Sequence, residues 1–124
     1  MAKVLVIDDE PNIRTLLTLL LRHRGYEVIL AETGWKGLQR YRQERPDVIL
    51  LDLKMPEMDG VAVLKQIRSV DLNQPVIILT GDCAPETESE VRALGVSEFI
   101  LKGSSFDPLW GTLKHLFEIP DLVA

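Results

Sequence analysis

The sequence predicts an α/β fold built on an open, doubly wound sheet of five parallel strands, with helices on both faces. Apolar runs of strand length alternate five times with segments whose apolar residues recur at helical spacing. Strands that alternate with helices are typical of parallel sheets joined by right-handed crossovers. Five such units are too few for an eight-unit barrel, so an open sheet is the natural architecture.

The first strand–helix unit has clear signals at each end. The apolar run Lys3–Ile7 is typical of a strand covered on both faces. Pro11 suits the first turn of a helix, where its missing N–H costs nothing, and Gly25 ends that helix. The apolar face expected to point inward consists of Ile13, Leu16, Leu17, Leu20 and Leu21.

The second and third units follow the same pattern. Residues 26–30 form a plausible second strand, and Thr33 can cap a second helix that runs to about Glu44. The third strand is predicted over Val48–Leu51. Residues 54–60 have the Pro, Asp and Gly of a loop, and a third helix follows.

The last two units complete the sheet. Strands are predicted over residues 76–79 and 99–101. The fourth helix begins at Pro85 and ends at Gly95, and the fifth begins near Asp107 and ends before Pro120. The strand order expected for this doubly wound sheet is the flavodoxin-like 2-1-3-4-5.

Composition narrows the class of protein. The length of 124 residues fits one domain over residues 1–124. A net charge of −5 argues against a nucleic-acid surface, which is usually basic. No apolar run is long enough to span a membrane, and the first strand begins at Lys3 without a secretory signal. Together with the single Cys83, this predicts a cytoplasmic protein without direct membrane contact.

Residues that can do chemistry follow four of the predicted strands. Asp8 and Asp9 follow the first strand, Asp52 the third, Thr80 the fourth and Lys102 the fifth. The carboxyl ends of parallel strands lie on one edge, where such sheets bind ligands. Three carboxylates, a hydroxyl and an ammonium are therefore expected in one pocket, a set that suits a divalent cation and a phosphoryl group.

The acidic residues indicate a metal site. Two like charges about 4 Å apart repel by roughly 4 kcal/mol at an effective dielectric near 20, so the cluster needs a bound cation or a proton. Oxygen ligands favour Mg²⁺ over zinc. Asp8, Asp9 and Glu10 also suit the N-terminus of the first helix, where they complement its dipole. Asp52 could be a metal ligand, a nucleophile that forms an acyl phosphate, or both.

These motifs resemble those of the bacterial response-regulator receiver domains, the phosphoacceptors of two-component signalling. The matching segments are residues 6–10, 52–60, 79–81 and 99–102, in the family's order and spacing, and the resemblance covers essentially the whole chain.

The resemblance implies a role for each site residue. Asp52 would be the phosphorylation site. Asp8, Asp9 and the backbone carbonyl of Lys54 would join it in holding Mg²⁺. Thr80 and Lys102 would contact the phosphoryl group. Phe99 occupies the family's aromatic switch position, which coordinates with Thr80 and relays the state to the surface of the fourth helix, fifth strand and fifth helix.

Two positions depart from the family or vary within it. The family commonly has a proline after the lysine, in a cis peptide, and this chain has Gly103. A cis bond before glycine is disfavoured, so unusual dihedral angles at Gly103, or a different loop, are expected instead. The residue at position 54 varies, and Lys54 adds positive charge at the rim of the pocket.

The expected function is therefore that of a regulatory phosphoacceptor rather than an enzyme with a soluble substrate. The partners implied are a histidine kinase or phosphotransfer domain, or a small phosphodonor, and a downstream effector or an output domain on a longer chain. A phosphorylation-dependent dimer stays open. Two other functional classes remain open. A metabolite phosphotransferase or phosphatase would need a substrate pocket. A phosphorylation-independent docking module of the same fold would have a broken acidic cluster.

Overall fold

The computed structural model describes residues 1–118 and has a central sheet with helices on both faces. The elements are β1 (Lys3–Ile7), α1 (Pro11–His23), β2 (Glu27–Ala31), α2 (Gly34–Glu44), β3 (Val48–Leu51), α3 (Gly60–Val70), β4 (Val76–Thr80), α4 (Pro85–Leu94), β5 (Glu98–Leu101) and α5 (Asp107–Phe117). The strands pair in parallel in the order β2-β1-β3-β4-β5. The predicted fold class and strand order are confirmed.

The core consists of two apolar layers, one on each face of the sheet. Successive side chains of a strand point to opposite faces, so Leu5 and Ile7 of β1 join one layer and Val4 and Val6 join the other. The helices contribute Leu38, Val63, Leu64, Ile67 and Val91 to the first layer and Leu17, Leu21, Leu109 and Leu113 to the second. The sheet is covered on both sides, which leaves its carboxyl edge as the place where polar side chains collect.

Several predicted details differ from the structure, including bounds of β4 and β5 that are one residue longer than predicted. The second strand lies one residue later, since the Tyr26 N–H donates to the Leu21 carbonyl (3.1 Å) and Ala31 pairs with Ile7. Helix α3 begins at Gly60, the last residue of the predicted loop. Leu16, expected to face inward, is 42% exposed. The predicted stop at Pro120 lies outside the described residues.

Each helix within residues 1–118 is too short or too polar to cross a bilayer.

Candidate functional site

The carboxyl edge of the sheet brings four of the predicted site residues together. Asp8 and Asp52 directly follow the adjacent strands β1 and β3, and the Asp52 N–H donates to the Ile7 carbonyl (2.9 Å). Thr80 ends β4 and Lys102 follows β5, and the Lys102 N–H donates to the Thr80 carbonyl (2.7 Å). The backbone ladder thus fixes where each side chain leaves the sheet.

The Lys102 ammonium lies at the centre of this pocket. Its Nζ is 2.9 Å from Asp8 Oδ2, 3.3 Å from Asp52 Oδ2 and 2.6 Å from Glu10 Oε1. The Asp8 and Asp52 side chains are 3% exposed and that of Lys102 is 10% exposed, whereas that of Glu10 is 56% exposed. A largely buried cation therefore bridges two buried carboxylates and one carboxylate at the surface.

The second oxygen of Asp52 is also bound. The buried Thr80 hydroxyl donates to Asp52 Oδ1 at 3.0 Å, and the Lys54 N–H approaches the same oxygen at 3.4 Å. One Asp52 oxygen thus faces an ammonium and the other a hydroxyl. These are the groups that can stabilise negative charge on a phosphoryl group attached at this position.

Burial dominates the electrostatics of the pocket. It raises the pKa of Asp8 and of Asp52 above the usual range, although Lys102 opposes the rise in both. Burial also disfavours the charged form of Lys102, but hydrogen bonds to Glu10 and Asp8 outweigh that effect and raise its pKa. The ammonium therefore stays charged, and the two carboxylates retain a need for further positive charge.

The donor set fits a hard divalent cation. Among residues 1–118, carboxylate oxygens of Asp8, Glu10 and Asp52 lie within 4.8 Å of one another. Oxygen ligands alone, on a partly open pocket, are what Mg²⁺ takes from proteins. Asp9, predicted as a ligand, is half-buried and lies outside this cluster. Glu10, which the sequence indicated only as one of the acids at the start of α1, lies within it.

The remaining predicted residues surround the pocket. The Lys54 ammonium points to Asp82 (3.4 Å), and both side chains are well exposed. Phe99 is half-buried, with the Arg92 guanidinium 5.3 Å from its ring centroid. Gly103 has a φ of +88°, as expected from the absence of a side chain at this position.

Gly60 fixes the backbone beside Asp52. Its N–H donates to the Leu53 carbonyl (2.9 Å). A Cβ at this position would lie 2.2 Å from the Asp52 carbonyl oxygen and 2.8 Å from Leu53 Cα. Only glycine allows the first turn of α3 to pack this closely on the residue that follows β3.

The chain belongs to the response regulator receiver domain family, whose model matches residues 4–114. Domains of this family are regulatory phosphoacceptors of two-component signalling, and they bind Mg²⁺ at their acidic pocket.

Similar proteins include both longer regulators and single receivers. The Escherichia coli transcriptional regulatory protein ZraR is 39% identical over 90% of this chain, which spans 25% of that relative's length. The Bacillus subtilis sporulation initiation phosphotransferase F is 35% identical over 90% of both chains. The structure of the Thermotoga maritima response regulator TrrA in complex with Mg²⁺-BeF has a TM-score of 0.83 and 34% identity, covering 94% of this chain and 99% of that one.

Proposed function

We propose that this chain is a switch that accepts a phosphoryl group on Asp52 from a histidine kinase or phosphotransfer domain, with Mg²⁺ held at the acidic pocket. The observation that carries the proposal is the environment of the Asp52 carboxylate, which lies 3.3 Å from the Lys102 ammonium and 3.0 Å from the Thr80 hydroxyl. The relative solved with Mg²⁺-BeF supports the choice of cation.

In the reaction, an Asp52 oxygen attacks phosphorus and forms a P–O bond. The bond between phosphorus and the donor's imidazole nitrogen breaks at the same time, and the nitrogen takes the electron pair. Lys102 and Thr80 lie where they can neutralise and hydrogen-bond the phosphoryl oxygens. Bound Mg²⁺ supplies further charge neutralisation. Asp8, Asp9, Asp52 and the Lys54 carbonyl are the proposed ligands.

The proposed output is a change at the surface of α4, β5 and α5. Phosphoryl oxygens would draw the Thr80 hydroxyl away from Asp52 Oδ1, and the Phe99 ring would follow. Arg92 of α4 covers that ring and is itself held by Glu88 (2.9 Å), which links Phe99 to α4. A nearly complete shift between two states needs about 5.5 kcal/mol of differential interaction.

The receiver domain is proposed to extend over residues 1–124. The ZraR relatives are about four times longer than the matched segment, so an output domain on the same chain and a separate effector are both compatible with this function.

The test is phosphorylation by acetyl phosphate with Mg²⁺, followed by intact-mass spectrometry. The wild-type protein should gain one phosphoryl group, and Asp52→Asn should gain none. Asp82→Asn, which removes an exposed carboxylate nearby, is the matched control and should remain a substrate. Labelling of Asp52→Asn at the wild-type level would refute the assignment of Asp52. Undiminished labelling of Asp9→Ala, or of the wild type in excess chelator, would refute the metal site.

A further inference from the structure

Lys102 has more anionic partners than contact with a phosphoryl group requires. An ammonium has three N–H donors, and the Nζ of Lys102 has three carboxylates within 3.3 Å. Two of them, on Asp8 and Asp52, are also proposed ligands of Mg²⁺. The ammonium and the metal therefore compete for the same oxygens, and their like charges repel each other at short range.

Glu10 is the carboxylate partner of Lys102 that is not among the proposed ligands of Mg²⁺. Its Oε1 makes the shortest of the three contacts with Lys102, at 2.6 Å, from a side chain that is more than half exposed. The side chain has no role in capping within the described residues, because it accepts no hydrogen bond from the first turn of α1.

The backbone beside Glu10 is well anchored. The Glu10 N–H donates to Asp8 Oδ1 (2.9 Å), and the Arg14 guanidinium donates to the Asp8 carbonyl (2.8 Å). These bonds fix the turn between β1 and α1. The Glu10 carboxylate is thus presented at the rim of the pocket from a defined position.

We propose that Glu10 is a positioning residue, which keeps hold of the Lys102 ammonium when Mg²⁺ binds and so reduces its competition with the metal for Asp8 and Asp52. The inference rests on the proposed metal site. It makes Glu10 a counter-ion of Lys102 rather than a ligand of the metal.

The experiment measures Mg²⁺ affinity without any phosphodonor, from amide chemical shifts in a titration. Glu10→Gln should weaken binding about two- to fivefold, the range expected from a partly exposed ion pair. Glu86→Gln, which removes one exposed carboxylate from the first turn of α4, is the control for net charge and should bind as the wild type does.

The decisive comparison is the same Glu10→Gln change in two Lys102 backgrounds. In Lys102→Met, where no ammonium competes, it should have no effect on Mg²⁺ affinity. In Lys102→Arg, which keeps the charge, the weakening should persist. Circular dichroism checks that each variant is folded, and if Lys102→Met does not fold, Lys102→Gln supplies the uncharged background.

Two outcomes would overturn the proposal. Equal weakening in the Lys102→Met and wild-type backgrounds would mean that Glu10 acts on the metal directly. If Glu10→Gln leaves the Mg²⁺ affinity unchanged in the wild-type background or in the Lys102→Arg background, the ion pair does not influence the metal. Failure of the wild type to bind Mg²⁺ is a separate result, since it would refute the metal site on which the inference depends.

Discussion

Two lysines at opposite ends of the sheet have similar partners but very different surroundings. Lys3, at the amino end of β1, lies 3.7 Å from Glu27 and 3.7 Å from Glu44, and these three side chains are 30%, 52% and 34% exposed. Lys102, at the carboxyl edge, is 10% exposed and faces two carboxylates that are 3% exposed.

This difference separates a solvated surface from a functional pocket. Solvent-exposed ion pairs contribute little to stability. Water screens their attraction, and it solvates either charged side chain when the other is removed. A buried carboxylate that loses its cation has no such compensation. Burial raises the pKa of Asp8 and of Asp52 even though Lys102 opposes the rise. We therefore expect the metal-free pocket to reduce the stability of the fold, and the proposed cation to relieve this.

The largest expected effect comes from removing the cation of the pocket. Lys102→Met should lower the free energy of unfolding by about 3 kcal/mol at pH 7 without Mg²⁺, since two buried carboxylates lose their partner. Urea denaturation measures this change, and added Mg²⁺ should restore part of the loss. A loss below about 0.5 kcal/mol would show that the pocket is as well solvated as the surroundings of Lys3.

Removing one of the buried carboxylates should raise the free energy of unfolding instead of lowering it. Burial raises the pKa of Asp52, so the folded state holds this proton more tightly than the unfolded chain. The contribution of Asp52 to stability therefore falls as pH rises from the usual value of 3.8 through the raised pKa. Asp52→Asn should stabilise the metal-free protein at pH 7, and this gain should disappear in acid, where Asp52 is protonated in both the folded and the unfolded state. Equal stabilities in denaturation curves across that pH range would contradict this account.

Lys54 tests whether an exposed lysine matters when it lies beside the pocket. Its pair with Asp82 is more exposed than the pairs of Lys3, but it lies two residues beyond Asp52, where a hydrolytic water would approach. Lys54→Ala should change the dephosphorylation rate several-fold, on the order of 1 kcal/mol in barrier height. Its Mg²⁺ affinity should stay nearly unchanged, because the proposed ligand is the backbone carbonyl. Decay of the labelled protein after removal of the phosphodonor measures the effect, and identical decay would assign Lys54 to the solvated surface.

The smallest effect is expected at the amino end. Lys3→Met, the counterpart of Lys102→Met, should change the free energy of unfolding by less than about 0.5 kcal/mol in the same urea experiment. A loss comparable to that of Lys102→Met would remove the distinction between the two ends of the sheet.

The sequence predicted those features that depend on local signals. The bounds of β1 and β3 and the Thr33 cap of α2 follow from apolar runs, turn residues and capping chemistry, and they agree with the structure. The strand order follows instead from the general topology of doubly wound sheets, and it agrees as well. The meeting of Asp8, Asp52, Thr80 and Lys102 follows from the rule that parallel strands end on one edge.

Features that depend on distant contacts could not be predicted in this way. Tyr26 looks like a strand residue because aromatic residues are common in strands. In the structure, its ring packs against Phe117 and its N–H donates to the Leu21 carbonyl of α1. The contact of Glu10 with Lys102 spans 92 residues of sequence. Local patterns therefore indicated Glu10 only as an acid near the start of a helix, and the position of Asp9 outside the carboxylate cluster was equally inaccessible.

The close packing of Gly60 on the Asp52 backbone indicates which side of the pocket we expect to respond to the proposed modification. Because a single methyl group would already overlap the Asp52 carbonyl, the first turn of α3 has little room to shift towards the backbone at Asp52. The pocket thus has a rigid wall formed by β3 and α3. For the proposed phosphorylation of Asp52, we therefore expect the structural change at the opposite wall, where side-chain contacts that can be exchanged hold the Thr80 hydroxyl and the Lys102 ammonium.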